Sequence, residues 1–325
     1  MGQRCVLGID GGGSNTRIMV TDLYGNVLAY AEHGAASIRK DANAVSNVRA
    51  GIADALAKAG RSPEQVAGLL AGVAGLASDQ DLVWVEELTA VPGLTCPRWH
   101  VNDAVVAHAG AFMSKPGIML ISGTGSIVFA VTEDGSQHFN DDMHHYASSA
   151  ARFLAYEATY EILAGHTRAS DAELVRQILE YWKAGDMREL LHLALQGFVA
   201  DPQERNLRFG RMAPIVTSAA AKGSELARSV CNLKIHEAVV GVHMLGACFS
   251  SDSIQVACIG SVINSPYMKE RFREECESAT DKQYTIMEPV LSPVAGAVLM
   301  ALEKVGVSAR DEIVVNLLKH VKSAG

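Results

Sequence analysis

The sequence predicts an α/β protein with two lobes, and three observations support this class. The 325 residues are 49% hydrophobic, 6% aromatic and 20% charged, which is typical of globular proteins and not of disordered or fibrous ones. A chain of this length usually divides into two domains. Short β-branched runs alternate with segments of helical periodicity, and this alternation predicts helices packed on a partly parallel sheet.

The charge, the hydropathy pattern and the cysteines limit the possible partners. Lys and Arg number 28 against 36 Asp and Glu, a formal net charge of -8, so a nucleic-acid partner is not expected. No apolar run reaches the roughly 18 residues of a membrane helix, and no secretory signal pattern precedes the first strand, so we expect a cytoplasmic protein without a membrane partner. Six dispersed cysteines without a CxxC pair indicate reduced thiols rather than disulfides or a zinc site.

The first half is expected to start with a three-stranded meander and to continue with alternating helices and strands. The turn signal Tyr24-Gly25-Asn26 separates the second strand from the third. Apolar residues at helical spacing predict a helix that Asp41 caps and Gly60 ends. Strands are predicted at 4–9, 17–22, 26–31, 66–73 and 98–101, and further helices at 81–91 and 104–112.

The pattern then restarts after a turn at residues 114–117. A strand, a glycine turn and a second strand follow at 118–132, which repeats the arrangement near residues 6–22. Residues 147–249 are expected to be mainly helical, with Pro214 among the helix breaks. A strand at 254–259, a helix at 266–278 and helices from Pro293 and Ala309 complete the chain. We expect one lobe of residues 1–114, joined by 293–325, and a second of 115–292.

The segment Gly8 to Arg17 carries the most informative signal for ligand binding. Three adjacent glycines let the backbone turn tightly and present N–H groups to an anion. The spacing fits neither a Walker A loop nor a dinucleotide fingerprint, and a strand follows, so we expect a hairpin. Asp10 ends the first strand, where its carboxylate could hold a hydrated magnesium ion or simply cap the turn. The phosphate-binding candidates in this first hairpin are Gly11, Gly12, Gly13, Ser14, Asn15 and Thr16.

A second hairpin repeats the same design in the other half of the chain. Its small and hydroxyl-bearing residues lie between two predicted strands and offer N–H and O–H donors to phosphate oxygens. Two such hairpins facing a cleft could hold a nucleoside triphosphate without a P-loop. The second-hairpin candidates are Gly123, Thr124, Gly125 and Ser126.

Two further turns follow predicted strands and are candidates for the same site. Asn102 and Asp103 follow the strand at 98–101, at the strand end where α/β sheets bind ligands. Asp103 is a candidate general base for an acceptor hydroxyl, or merely a helix N-cap. Gly260, Ser261 and Asn264 form the turn after the strand at 254–259, which suits close approach of adenosine or is a plain strand-to-helix turn.

The ordered set of motifs resembles the BadF/BadG/BcrA/BcrD ATPase family, and within it the N-acetylglucosamine kinase-like branch, over nearly the whole chain. The resemblance implies the actin-like ATPase and sugar-kinase fold, in which two ribonuclease-H-like lobes surround a central cleft that binds ATP and Mg²⁺. It also implies Asp10 near the magnesium ion, both hairpins on the phosphates, the Gly260 turn at the adenosine, Asp103 as the base, and a homodimer. The segments that carry it are 8–17, 72–76, 102–104, 120–126, 259–264 and 293–297.

The sequence departs from this branch after the second hairpin. Sugar kinases of the branch carry there an Asp-Glu pair that engages the sugar, whereas residues 137–151 offer Ala147-Ser148 at that point. Ser37 likewise stands where an Asn is typical. We therefore expect an altered acceptor pocket and a substrate other than N-acetylglucosamine. The polar candidates for the pocket are Ser37, Asn102, Asp103, Asp141 and His145.

Three functions remain open from the sequence. The leading hypothesis is an ATP-dependent kinase that phosphorylates a hydroxyl of a small sugar, amino sugar or related metabolite. The family also suggests an ATPase activator of a 2-hydroxyacyl-CoA dehydratase, which would need thiolate ligands for an iron–sulfur cluster. A non-catalytic sensor of ATP or a sugar is the third, although Asp10, Asp103 and both hairpins are retained.

Overall fold

The chain folds into two compact units. The computed structural model describes residues 4–307 and 310–325, so the predicted helix start at Ala309 lies outside the described residues. Within these ranges no helix is both long and apolar enough to cross a lipid bilayer. The first unit runs to Met119 and includes Glu133–Gly135 and Glu288–Gly325, and the second comprises Leu120–Thr132 and Ser136–Met287.

Strands in the described ranges form two sheets of five. They are β1 (Cys5–Gly11), β2 (Asn15–Asp22), β3 (Val27–Gly34), β4 (Val66–Val73), β5 (Arg98–Asn102), β6 (Gly117–Ser122), β7 (Ser126–Val131), β8 (Gln137–Phe139), β9 (Ser253–Ile259) and β10 (Gln283–Met287). The α-helices are α1 (Ala44–Ala59), α2 (Leu82–Leu88), α3 (Asp103–Phe112), α4 (Ala151–Leu163), α5 (Ala172–Trp182), α6 (Met187–Leu195), α7 (Pro202–Ala221), α8 (Glu225–Gly246), α9 (Pro266–Glu277), α10 (Pro293–Lys304) and α11 (Arg310–Leu318).

The two sheets have the same strand order. In the first sheet the order is β3-β2-β1-β4-β5, with β1 to β3 antiparallel and β4 and β5 parallel to β1. In the second sheet the order is β8-β7-β6-β9-β10, with β7 antiparallel to β8 and β9 parallel to β10. The repeat in the sequence therefore corresponds to a repeated sheet topology, and the predicted two-lobed α/β fold of ribonuclease-H-like sheets is confirmed.

Apolar residues cover both faces of the first sheet. Every residue of β1 and β4 is buried, as expected for central strands covered by helices on both sides. On one face, Leu7 and Ile9 pack in a cluster with Ile52 of α1. On the other face, Val6 packs in a cluster with Val298 of α10. Successive residues of β1 thus alternate between two cores, which fixes the register of the strand.

Three details differ from the sequence-based expectations. The short edge strands β8 and β10 were not predicted, because neither has an alternating apolar pattern long enough to detect. Pro214 lies inside α7 instead of ending a helix. Packing of α7 along α4 and α8 offsets the cost of about 3 kcal/mol for an interior proline. The N-cap of α1 is Asn43, and the Asp41 carboxylate accepts a hydrogen bond from its backbone N–H.

Helices α3 and α10 cross at two glycines that leave no room for a side chain. A Cβ atom at Gly296 would lie 2.2 Å from the carbonyl oxygen of Val106 and 2.5 Å from the backbone nitrogen of Gly110. A Cβ atom at Gly110 would lie 2.7 Å from the carbonyl oxygen of Ser292. All of these neighbours are backbone atoms, so the helices must separate if either glycine is replaced.

We expect Gly296→Ala to lower the free energy of unfolding by about 2 kcal/mol or more, because an added methyl group overpacks the crossing. Gly210→Ala in α7 is the matched control, since its Cβ would meet only the Ala151 methyl, at 4.0 Å. That change should be neutral or stabilising by up to about 1 kcal/mol through helix propensity. Urea unfolding of both variants measures the difference, and similar effects at the two sites would contradict the close crossing.

Candidate active site

The first hairpin joins β1 and β2 and is closed by its own backbone. The N–H of Gly12 donates to the carbonyl oxygen of Asn15 over 2.9 Å. Gly12 and Gly13 are half-buried, and Ser14 and Asn15 are exposed, so the tip of the hairpin is accessible to a ligand. Thr16 is buried and its hydroxyl donates to the carbonyl oxygen of Gly34 over 2.7 Å, so this predicted phosphate ligand is used within the protein.

Segments that follow two other strands bond directly to this hairpin. The N–H of Ala74, after β4, donates to the carbonyl oxygen of Gly11 over 2.8 Å. The N–H of Ala36, after β3, donates to the carbonyl oxygen of Gly12 over 3.1 Å. A Cβ atom at Gly11 would lie 2.8 Å from the Cβ atom of Ala36, so the close packing of these two segments requires glycine at position 11. The strand ends of the first sheet therefore meet around the first hairpin.

Asp10 is a buried carboxylate with one cationic partner. The Arg17 guanidinium donates to its Oδ2 over 2.9 Å, and the two residues are opposite each other in the β1–β2 register. Burial raises the pKa of Asp10, and the nearby Arg17 charge offsets part of that rise. No local pattern predicts this role of Arg17, because the pairing depends on the strand register.

Asp103 lies at the N-terminus of α3, directly after β5. Burial raises its pKa to about 7, and the charge of Asp10 adds to this rise. The helix N-cap is Asn102, whose Oδ1 accepts a hydrogen bond from the N–H of Ala104 over 2.9 Å. Since Asn102 performs the capping, Asp103 is not the N-cap that the alternative interpretation proposed. A carboxyl group with a pKa near neutrality can exchange a proton at physiological pH.

Two further acceptor candidates lie in the first unit. The amide nitrogen of Asn102 donates to the carbonyl oxygen of Leu76 over 2.9 Å, which ties the β5 end to the segment after β4. Ser37 is buried, and its hydroxyl oxygen would lie 3.6 Å from a Cβ atom at Gly75, in the same segment. Gly75 has a φ of +91°, which favours glycine. The structure thus brings Ser37, Asn102 and Asp103 to segments that border the first hairpin.

The second hairpin contacts the predicted adenosine turn within the second unit. A Cβ atom at Gly260 would lie 2.2 Å from the carbonyl oxygen of Ser122, and the φ of Gly260 is +113°. The same carbonyl oxygen accepts hydrogen bonds from the N–H groups of Val262 and Ile263. The close approach at Gly260 is therefore made to the hairpin itself. Ser261 and Asn264 are exposed beside it, as are Thr124 and Gly125 at the hairpin tip.

The altered segment also packs on the second hairpin. The hydroxyl of Ser122 donates to the carbonyl oxygen of Ser149 over 2.7 Å, and that of Ser126 donates to the carbonyl oxygen of Ala147. His145 is half-buried against Gly241 of α8, whereas Asp141 is exposed and its carbonyl oxygen accepts from the N–H of His144. His144 has a φ of +57°, so the two adjacent histidines lie in a turn and not on a strand.

A carboxylate from α8 reaches the point where the Asp-Glu pair was expected. Glu237 accepts a hydrogen bond from the N–H of Ser148 over 3.1 Å. Its other carboxylate oxygen lies 3.2 Å from the ammonium group of Lys234, which is buried. Residues 148 and 237 are far apart in sequence, so no local pattern predicts this acid. A carboxylate from a different element therefore contacts the altered segment at Ser148.

Magnesium fits the first-unit residues only as a largely hydrated ion. One oxygen of Asp10 is bonded to Arg17, which leaves the other oxygen for water in a magnesium shell. Across residues 4–307 and 310–325, no group of three or more His, Cys, Asp or Glu side chains could enclose a metal. Mg²⁺ is usually bound through one or two carboxylates, water and nucleotide phosphates.

Each unit thus combines a ribonuclease-H-like sheet with a glycine hairpin between its first two strands, and this combination is typical of the actin-like ATPase and sugar-kinase class. A family model for the BadF/BadG/BcrA/BcrD ATPase family matches residues 7–301. The chain belongs to that family.

Three individual proteins are similar to this chain, and the two solved structures among them show a similarity of fold. The chain is 26% identical over 278 residues to N-acetylmuramic acid/N-acetylglucosamine kinase of Clostridium acetobutylicum, covering 83% of this chain and 89% of the relative. A candidate N-acetylglucosamine kinase from Chromobacterium violaceum has a similar fold, with a TM-score of 0.73, 24% identity and coverage of 92% and 99%. A ROK family glucokinase from Streptomyces griseus, solved with glucose and AMPPNP, has a TM-score of 0.55, 17% identity and coverage of 91% and 98%.

We expect Asp103→Asn to stabilise the protein in a pH-dependent way. The pKa of Asp103 rises from an ordinary 3.8 to about 7 on folding, so the folded state binds this proton more tightly than the unfolded state. Below about pH 4 the carboxyl group is protonated in both states, and Asp103 then has little effect on the free energy of unfolding. As pH rises from about 4 to 7, the unfolded state loses this proton first, so the presence of Asp103 lowers the free energy of unfolding progressively. The stability gain of the variant should grow over that range to about 2 kcal/mol or more and then stay constant.

Urea unfolding at a series of pH values measures this gain. The exposed Asp281→Asn serves as the control and should show no such trend. A stability difference for Asp103→Asn that is independent of pH would show that this carboxyl group has an ordinary pKa.

Proposed function

We propose that the protein is an ATP-dependent kinase that phosphorylates a hydroxyl group of a small sugar, amino sugar or related metabolite. The observation that carries this proposal is the Asp103 carboxyl group, which follows β5 at the sheet edge where β1 leads into the first hairpin and whose pKa is raised by burial and by the charge of Asp10. Membership of an ATPase family supports the use of ATP. The kinase names of the Clostridium and Chromobacterium relatives support transfer to a sugar.

In this proposal Asp103 is the general base. Its ionised carboxylate accepts the proton of the acceptor hydroxyl as the hydroxyl oxygen attacks the γ-phosphorus of ATP, and ADP leaves. Ser37 and Asn102 orient the acceptor, since both lie on segments that border the first hairpin. The raised pKa of Asp103 suits this task, because a base with a pKa near the working pH gains most from the proton transfer.

The hairpins provide the donors for the phosphates. In the first unit the Gly11–Ser14 backbone, and in the second the Gly123–Ser126 backbone, offer N–H donors to phosphate oxygens and stabilise their charge. Ser261 and Asn264 beside the Gly260 turn are the proposed adenosine contacts. A magnesium ion held by Asp10 through water would neutralise phosphate charge when it is bound.

The altered acceptor segment favours a substrate other than N-acetylglucosamine. The exposed side chains of Met143 and Tyr146 give this segment an apolar and aromatic surface. Asp141, His145 and the Glu237 carboxylate are its polar groups. We infer that the preferred acceptor is less hydroxylated or differently substituted, because a site lacking matched hydrogen-bond partners rejects the ligand that needs them.

The two alternatives have less support. A dehydratase activator would present thiolates to a bridging cluster, but Cys5, Cys231, Cys258 and Cys276 are buried and only Cys248 is exposed. A sensor without catalysis has no need of a carboxyl group with a pKa near 7 beside a phosphate hairpin. Both observations favour the kinase.

ATP with magnesium should raise the thermal stability of the protein. Ligands that bind only the folded state stabilise it by about 2.7 kcal/mol at a hundredfold excess over Kd. Thermal unfolding with and without millimolar MgATP measures the shift. If MgATP and other nucleotides all leave the melting temperature unchanged, the nucleotide site is absent.

Asp103→Asn should abolish phosphoryl transfer and leave ATP affinity within a few-fold of the parent, because the base acts on the acceptor proton. Asp10→Asn should instead impair the magnesium-dependent step. Steady-state turnover and calorimetric ATP titration separate these effects. Turnover retained by Asp103→Asn would leave the residue with no catalytic role.

An ADP-release screen over amino sugars, N-acetylated sugars, nucleosides and cyclitols should identify the acceptor, with the phosphorylated product confirmed by mass spectrometry. We expect N-acetylglucosamine to be a poor substrate for the reasons given above. A specificity constant for N-acetylglucosamine near about 10⁵ M⁻¹s⁻¹, within the usual range of enzymes, would contradict this expectation.

A further inference from the structure

An arginine from α4 lies beside the tip of the second hairpin. Arg152 is the second residue of α4, and its Nη1 donates to the carbonyl oxygen of Thr124 over 3.4 Å. Its guanidinium lies over the Phe153 ring, 4.1 Å from the ring centroid. The preceding residue, Ala151, donates its N–H to the carbonyl oxygen of Gly123 over 2.8 Å. The start of α4 is therefore fixed to the hairpin at two successive residues.

This arginine has no acidic partner in the described part of the chain, where no carboxylate oxygen lies within 4.0 Å of its guanidinium nitrogens. By contrast, Arg176 of the same unit is bonded to Glu173 and Glu180. Arg152 is half-buried, and partial burial of a cation without a counter-charge is unfavourable. A cation kept in such a position suits an anionic ligand.

The space at the hairpin tip suits a phosphate. A Cβ atom at Gly125 would meet no atom within 4 Å, so the tip is open next to the residue that Arg152 contacts. The planar guanidinium matches phosphate oxygens in a bidentate arrangement, which gives stronger hydrogen bonds than neutral donors. An arginine held by a backbone carbonyl is already oriented, so less entropy is lost when it binds.

The Gly260 turn indicates which phosphate Arg152 contacts. That turn, the proposed adenosine site, packs against Ser122 and Gly123 at the base of the hairpin. Arg152 contacts Thr124, one residue closer to the tip. A nucleotide that starts at the turn and extends along the hairpin therefore places its last phosphate nearest to Arg152.

We propose that Arg152 binds the terminal phosphate of ATP and stabilises charge on the phosphoryl group during transfer, an inference that rests on the proposed kinase function. In the reaction the bond from the γ-phosphorus to the β–γ bridging oxygen breaks, and a bond to the acceptor oxygen forms. Arg152 remains protonated throughout and donates to the non-bridging oxygens. Its contribution is therefore specific to ATP and is absent for ADP.

Calorimetric titration of MgATP and MgADP into the parent, Arg152→Gln and Arg152→Lys tests the proposal. For Arg152→Gln we expect MgATP affinity to fall about tenfold or more and MgADP affinity to change less than about threefold, as for loss of a charge-assisted contact. Arg152→Lys should be intermediate, because a lysine keeps the charge and the aliphatic stem but not the planar fork. Arg176→Gln is the matched control and should behave as the parent does.

The competing outcomes are separable. If Arg152→Gln keeps the parent preference for ATP over ADP, or loses affinity for both nucleotides equally, Arg152 does not bind the terminal phosphate. An unchanged nucleotide affinity with a raised KM for an acidic acceptor would assign Arg152 to the acceptor instead and also overturns the proposal. If Arg152→Gln does not fold, Arg152→Lys provides the test: a lowered ratio of ATP affinity to ADP affinity supports the proposal, and the parent ratio overturns it. A parent that binds neither nucleotide would overturn the proposed function itself.

Discussion

The electrostatic interaction between Asp10 and Asp103 is the constraint on which the proposed chemistry depends. Because β1, β4 and β5 are parallel, their carboxyl ends lie at one edge of the first sheet, with Asp10 near the end of β1 and Asp103 directly after β5. Because β4 lies between β1 and β5, two inter-strand spacings, about 10 Å, separate the ends of these strands. Burial raises the pKa of both carboxyl groups, the charge of Asp10 adds to the rise at Asp103, and Arg17 offsets part of the rise at Asp10. The pKa of Asp103 is thereby raised to about 7.

The two units show how one topology can be used for two tasks. In the first unit the strand before the hairpin ends in Asp10-Gly11, and in the second it ends in Ser122-Gly123. The first hairpin therefore follows an acid, Asp10, that is suited to a hydrated metal ion, and Asp103 at the same sheet edge is the proposed general base. The second follows the Ser122 hydroxyl, which the protein uses internally, and the Arg152 cation donates to the carbonyl oxygen of Thr124 in this hairpin. In the proposed mechanism the acidic groups therefore belong to the first unit and the Arg152 cation to the second.

The sequence predicted the parts of this arrangement that are local. The buried strands β1 and β4, the glycine hairpins and the helix starting at Pro293 all follow from short patterns of residue types. Contacts between distant segments could not be predicted in this way. Glu237 reaches Ser148 only because α8 packs beside the altered segment, and the close approach predicted at Gly260 is made to Ser122. Strand register, which pairs Asp10 with Arg17, is likewise a property of the folded sheet.

The pH dependence of kcat/KM for the acceptor, measured at saturating MgATP with the best substrate from the screen, tests the central claim most directly. The base must be ionised to accept a proton, and the pKa of Asp103 is raised to about 7 by burial and by Asp10. The account predicts that kcat/KM rises with pH and levels off above an apparent pKa of about 7. A value of kcat/KM that stays constant between about pH 5.5 and 8.5 would contradict it, because a carboxylate with an ordinary pKa would already be fully ionised there.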